Sequence, residues 1–95
     1  MPRFIAVHTL PFTVEQAVEK LNDLATRQLP AGGAWMNTWC DFDGHKFFCE
    51  WEAPSKEVLV EGFEANQVPF DAIHPVRHYD PTSRKLEAAA STATA

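Results

Sequence analysis

Residues 3–9 (Arg-Phe-Ile-Ala-Val-His-Thr) form a short apolar run stopped by Pro11 and read as a first strand. The period then changes. Val14, Ala17, Val18, Leu21, Leu24 and Ala25 recur at i, i+3, i+4, i+7 spacing, which predicts an amphipathic helix of about three to four turns ending before Pro30. Thr13 and Gln16 supply a capping box at its start. Ala31-Gly32-Gly33 reads as a loop. Residues 34–52 carry the clearest pattern, two aromatic-rich runs flanking Asp43-Gly44, the dipeptide favoured in two-residue type I′ hairpins. Counting outward from that turn pairs Asp41 with Lys46, Cys40 with Phe47, Trp39 with Phe48, Thr38 with Cys49, Asn37 with Glu50 and Trp35 with Glu52. Ser55 is placed to cap a second helix whose inner face holds Val58, Leu59, Gly62 and Phe63. Residues 72–79 read as a last strand, which Pro75 confines to a sheet edge.

The order β-α-β-β-α-β predicts an α+β, ferredoxin-like split β-α-β domain over residues 1–80, with a disordered, Ala/Thr-rich tail over 81–95. Two helices would cover one face of a four-stranded antiparallel-type sheet. Strands 1 and 3 would be a parallel central pair, with strand 4 antiparallel beside strand 1. Alternation then divides the strands between faces. Met36, Thr38, Cys40, Phe42, Phe47, Cys49 and Trp51 are expected under the helices, together with Ile5 and Val7. The open face is expected to carry Trp35, Asn37, Trp39, Phe48, Glu50 and Glu52, with Phe4, Ala6 and His8 from strand 1 and His74, Val76 and His78 from strand 4. So many aromatics on an open face predict a homodimer packed sheet to sheet.

Composition narrows the function classes. The 95-residue chain has a net charge of −5, which argues against a nucleic-acid partner. No apolar run approaches the roughly 18 residues of a membrane span. The N-terminus shows no signal-peptide pattern, so a cytoplasmic location is expected. The two cysteines, Cys40 and Cys49, form no CxxC pair and are expected as free thiols. Three Trp and four His in so short a chain stand out. On the expected topology His8, His74, Glu50, Glu52 and Asn37 converge at one end of the open face, while His78 lies a strand-length away. Two imidazoles and a carboxylate suit a divalent ion such as nickel or zinc. The same groups would also serve as hydrogen-bonded interface residues, or as an acid–base pair beside a pocket lined by Trp35 and Trp39.

Three segments resemble a known family: Pro2-Arg3-Phe4-Ile5-Ala6-Val7-His8, the junction Phe48-Cys49-x-x-Glu52-Ala53-Pro54, and Val68-Pro69-Phe70-Asp71-Ala72-Ile73-His74-Pro75-Val76. They are similar to a small bacterial ferredoxin-like family of unknown function that includes a nickel-binding, nickel-responsive protein. The resemblance implies a dimeric fold and a metal held by His8, His74 and Glu52. Asn37 stands where the resemblance leads one to expect a histidine. Glu50 and Asn37 would lie in or beside the metal's coordination shell. The combined expectation is a homodimeric nickel-type metal-binding protein. The alternative is a cofactor-independent enzyme, monooxygenase- or cyclase/isomerase-like, acting on a small hydrophobic molecule inside the dimer.

Overall fold

A computed structural model describes residues 1–27 and 32–89. The elements are β1 (Arg3–Thr9), α1 (Val14–Ala25), β2 (Ala34–Asp41), β3 (Lys46–Glu52), α2 (Lys56–Ala65), β4 (Ala72–Val76), β5 (Tyr79–Asp80) and β6 (Lys85–Leu86). The first four strands form one sheet in the order β2-β3-β1-β4. With the two helices this is the expected ferredoxin-like α+β arrangement. Every neighbouring pair is antiparallel, including the central β1 and β3, which the sequence reading takes as parallel. The reason is topological: β1 and β2 run the same way, and the tight hairpin reverses β3 between them.

Local chemistry sets the element ends as expected. Gln16 Oε1 accepts from the Thr13 N–H at 3.2 Å, and Ser55 Oγ accepts from the Val58 N–H at 3.3 Å. Both bonds satisfy donors that a helix start leaves free. The hairpin register also holds from Asp41–Lys46 to Asn37–Glu50. Its turn differs: Phe42–His45 forms a four-residue loop in which His45, at φ 57°, takes the left-handed conformation. Gly44 donates its N–H to Asp41 Oδ1 at 3.0 Å, and a Cβ there would meet Asp41 Oδ2 at 2.8 Å. A side chain at Gly44 would therefore push the Asp41 carboxylate aside and disturb that hydrogen bond. The loop expected at Ala31–Gly33 begins outside the described residues.

The core lies between the helices and one sheet face. Phe4 and Ala6 from β1, Cys49 and Trp51 from β3 and Ile73 from β4 pack against Leu59 and Phe63 of α2, with Leu24 of α1 partly buried at the edge. Trp51, Phe47, Phe63 and Leu59 are the largest fully enclosed side chains. Burying each stabilises by roughly 1.5–3 kcal/mol. Strand β1 is thus inverted relative to the sequence reading: Phe4, Ala6 and His8 face the helices, while Arg3, Ile5 and Val7 face outward. Pairing decides this, because Phe4 sits opposite Trp51 and Ala6 opposite Cys49. Trp35 is likewise relocated. An irregularity between Trp35 and Asn37 shifts the register, so Trp35 pairs with Trp51, not Glu52, and stacks on it at 5.6 Å.

The segment from 81 is not wholly a tail. Tyr79–Asp80 and Lys85–Leu86 pair as a second hairpin, with Arg84 at φ 60° closing its turn. The expectation for residues 90–95 lies outside the described residues. Among the described residues no helix is long and apolar enough to cross a membrane.

Candidate functional site

The open sheet face is organised in cross-strand rows. One row runs Asn37, Glu50, Ile5, His74; the next runs Ala34, Glu52, Arg3, Val76; a third runs Trp39, Phe48, Val7, Ala72. Neighbouring strands lie about 4.8 Å apart, so His74 and Glu50 are separated at the backbone by about 10 Å across Ile5. The row places Asn37 Nδ2 on Glu50 Oε1 at 2.9 Å.

Arg3 is the hub of this face. Its guanidinium donates to Glu50 Oε2, and it meets Glu87 with two bonds, Nε to Oε1 at 3.0 Å and Nη2 to Oε2 at 2.8 Å. Glu52 Oε2 lies further off, at 3.9 Å. One cation therefore serves three carboxylates. The bidentate contact to Glu87, followed by that to Glu50, raises the Arg3 pKa above its ordinary value. Glu87 is held down to about 2, first by Arg3 and then by the His78 N–H, which donates to its Oε1 at 3.0 Å. Neither Arg3 nor Glu87 was singled out as a site residue from sequence. Outward alternation of β1 could have found Arg3; nothing local marks Glu87.

The expected ligand set is divided between the two faces. Glu52 and His74 are on the open face, while His8 is beneath the sheet, 2% exposed. His8 Nδ1 donates to the Pro69 carbonyl oxygen at 2.7 Å, and its ring meets Phe63 edge-on at 5.1 Å. Burial lowers its pKa, opposed by the Pro69 carbonyl and by Asp71. His8 is also five residues along β1 from Arg3, the partner of Glu52, a distance of about 17 Å. His78 leaves the open face: β4 ends at Val76, and His78 lies in the link to β5, its carbonyl accepting from the Glu87 N–H at 2.7 Å. Trp39, 55% exposed, stays outward beside Phe48, whereas Trp35 turns inward. His8 and Trp35 thus share one side of the sheet, and His74 and Trp39 the other. No three of the described His, Cys, Asp and Glu side chains gather closely enough to hold a metal ion.

The β-sheet rows except for Arg3, the two helices over one face and the Glu52-Ala53-Pro54 junction fall inside a stretch, residues 4–76, that matches the family described as nickel responsive protein SCO4226-like. The chain belongs to that family. The crystal structure of SCO4226 from Streptomyces coelicolor A3(2) is similar at 25% identity and a TM-score of 0.60, over 78% of this chain and 94% of that one. A search of curated proteins finds no match. The β5–β6 hairpin and Glu87 lie beyond the stretch matched to the SCO4226-like family.

Proposed function

We propose that this chain is a nickel-type divalent-metal-binding protein that works as a homodimer packed through its open sheet face. The family's description as nickel responsive carries the reading. The donor chemistry of the open face supports it, since an imidazole and carboxylates suit nickel or zinc. His74 and Glu52 are the proposed ligands, with Glu50 and Asn37 beside them. His8, held to Pro69 beneath the sheet, is assigned to structure. One protomer offers only part of a coordination shell, so a second copy would complete it. That copy would also cover Trp39, Phe48, Val7 and Ile5, an outward apolar patch of the kind that marks an interaction surface.

Glu50 and Glu52 must be free enough to act as ligands. Arg3 competes with a cation for their oxygens, and Glu87 gives the guanidinium another partner, a bidentate one, to retain.

The test is nickel titration by calorimetry of protein purified without a metal-affinity tag, alongside sedimentation at micromolar concentration. Saturable binding, lost in H74A and weakened in E52Q but kept in H8N, is expected, with sedimentation at twice the chain mass. No saturable binding, an unchanged H74A titration or a monomer overturns the reading.

A further inference from the structure

The β5–β6 hairpin is tied to the open face through Glu87, the residue that follows β6. The hairpin's own backbone fixes where this carboxylate sits. The Glu87 N–H donates to the His78 carbonyl oxygen at 2.7 Å, and the His78 N–H donates back to Glu87 Oε1 at 3.0 Å. The same Oε1 accepts from Arg3 Nε at 3.0 Å, and Oε2 accepts from Arg3 Nη2 at 2.8 Å. Glu87 thus closes the hairpin and clasps the cation of β1 at once. The remaining guanidinium nitrogen, Nη1, donates to Glu50 Oε2, while Asn37 Nδ2 holds the other oxygen of that carboxylate at 2.9 Å. Glu52 lies at the edge of the cluster, 3.9 Å from Nη2.

The charges around Arg3 do not balance. One guanidinium faces three carboxylates, and among the described residues no second cation pairs with any of them. All three carboxylates are only partly exposed, so water screens them incompletely. Carboxylates that share one cation repel each other, and each weakens the others' hold on it. Neutralising one therefore strengthens the contacts the cation keeps with the rest. Glu50 and Glu52 stand on the sheet, where a divalent ion would neutralise them. Glu87 stands on the hairpin and is left to Arg3.

We propose that Arg3 couples the β5–β6 hairpin to the charge state of the open face. When the charge of Glu50 and Glu52 is taken up by a divalent cation, the guanidinium commits to Glu87 and the hairpin tightens. The cation in this scheme rests on the metal reading above; the coupling through Arg3 stands on the contacts alone. Coupling is reciprocal, so a hairpin that a cation tightens must favour that cation in return. Glu87 is a positioning residue here, acting on the open face through Arg3. The hairpin lies beyond residues 4–76, so the coupling belongs to a part of this chain that the family match leaves out.

On metal-free protein in chelator, E50Q serves as the surrogate for a bound cation, because it removes the charge, keeps the shape and leaves an oxygen for Asn37. Two protons report on the clasp, the Arg3 Nε–H and the His78 backbone N–H, since both are donated to Glu87 Oε1. Their exchange with water, followed by ¹⁵N-edited NMR, should slow by about threefold in E50Q, the effect of one partly exposed charge pair. In an R3Q background, E50Q should leave the His78 proton unchanged. Exchange in E50Q at the wild-type rate or faster, or an equal slowing without Arg3, overturns the proposal. The comparison of E50Q with wild type decides the matter even if R3Q does not fold. Zinc, which is diamagnetic and keeps nearby signals sharp, should slow the same two protons in wild type, and E87Q should bind it about threefold more weakly. Zinc that binds saturably yet leaves both protons unmoved, or binds E87Q as tightly as wild type, also overturns the coupling. Zinc and nickel that both fail to bind overturn the metal reading alone, and the metal-free comparison still decides the coupling.

Discussion

Acidification should weaken the fold through His8 before any carboxylate contributes. His8 is enclosed, and burial is the largest influence on it, lowering its folded-state pKa below the ordinary 6.5. Above 6.5 the ring is neutral in both states, and its neutral form costs nothing. As pH falls below 6.5 the unfolded chain takes up a proton that the native chain resists, so stability is lost down through the folded-state value. Within that window the slope approaches about 1.4 kcal/mol per pH unit. Asp71, Asp80 and Glu87 are held below their ordinary values of 3.8, 3.8 and 4.5, so their contributions are fully present throughout pH 5–7.5 and are lost only further down. The assay is urea unfolding followed by Trp fluorescence at steps between pH 7.5 and 5. The comparison is H8N, whose amide can still donate to the Pro69 carbonyl but cannot titrate. H8N gives up the edge-on contact with Phe63, worth roughly 0.5–1.5 kcal/mol, and so starts less stable at pH 7.5. The two proteins should converge as pH falls. A gap that stays constant to pH 5, or an equal slope in H8N, refutes the account of His8 as a buried neutral imidazole.

Leu59→Ala, at a side chain with no exposure, should cost about 2–5 kcal/mol in urea unfolding with the midpoint, not the slope, displaced. Cys49 is buried, its thiol pushed up to about 11 by desolvation, whereas Cys40 is exposed, so native protein should react with a thiol reagent at Cys40 alone and C40A should abolish the reaction. E87Q should loosen the β5–β6 hairpin, read as faster amide exchange at His78 and Leu86; in the wild type the same loosening should appear only as pH falls from 4.5 toward about 2.

Element order, both helix N-termini and the β2–β3 register were legible because each rests on local chemistry: capping side chains, 3.6-residue periodicity, and a turn flanked by alternating runs. The face of β1 was not, because both of its alternating sets are apolar. Ile5 and Val7 look more core-like than Ala6 and His8, yet the helices approach the sheet so closely that Ala6, with no exposed surface, is what fits. Trp35 was misplaced for a different reason. A single irregular residue at Met36 reverses parity without leaving a mark in the sequence. The candidate site inherited both errors, which is why His8 and Trp35 separate from His74 and Trp39. The second hairpin escaped notice because its strands are two residues long and its left-handed turn residue is Arg84, where glycine or asparagine would have signalled it.

The Arg3–Glu87 contact joins positions 84 residues apart. A ribosome delivers Arg3 early and Glu87 late, so through most of synthesis Arg3 can neutralise only Glu50 and Glu52. The open face therefore carries a different charge balance on a nascent chain than on a finished one. The clasp cannot close until Glu87 is available, so it belongs to the late part of folding, set by the direction in which the message is read.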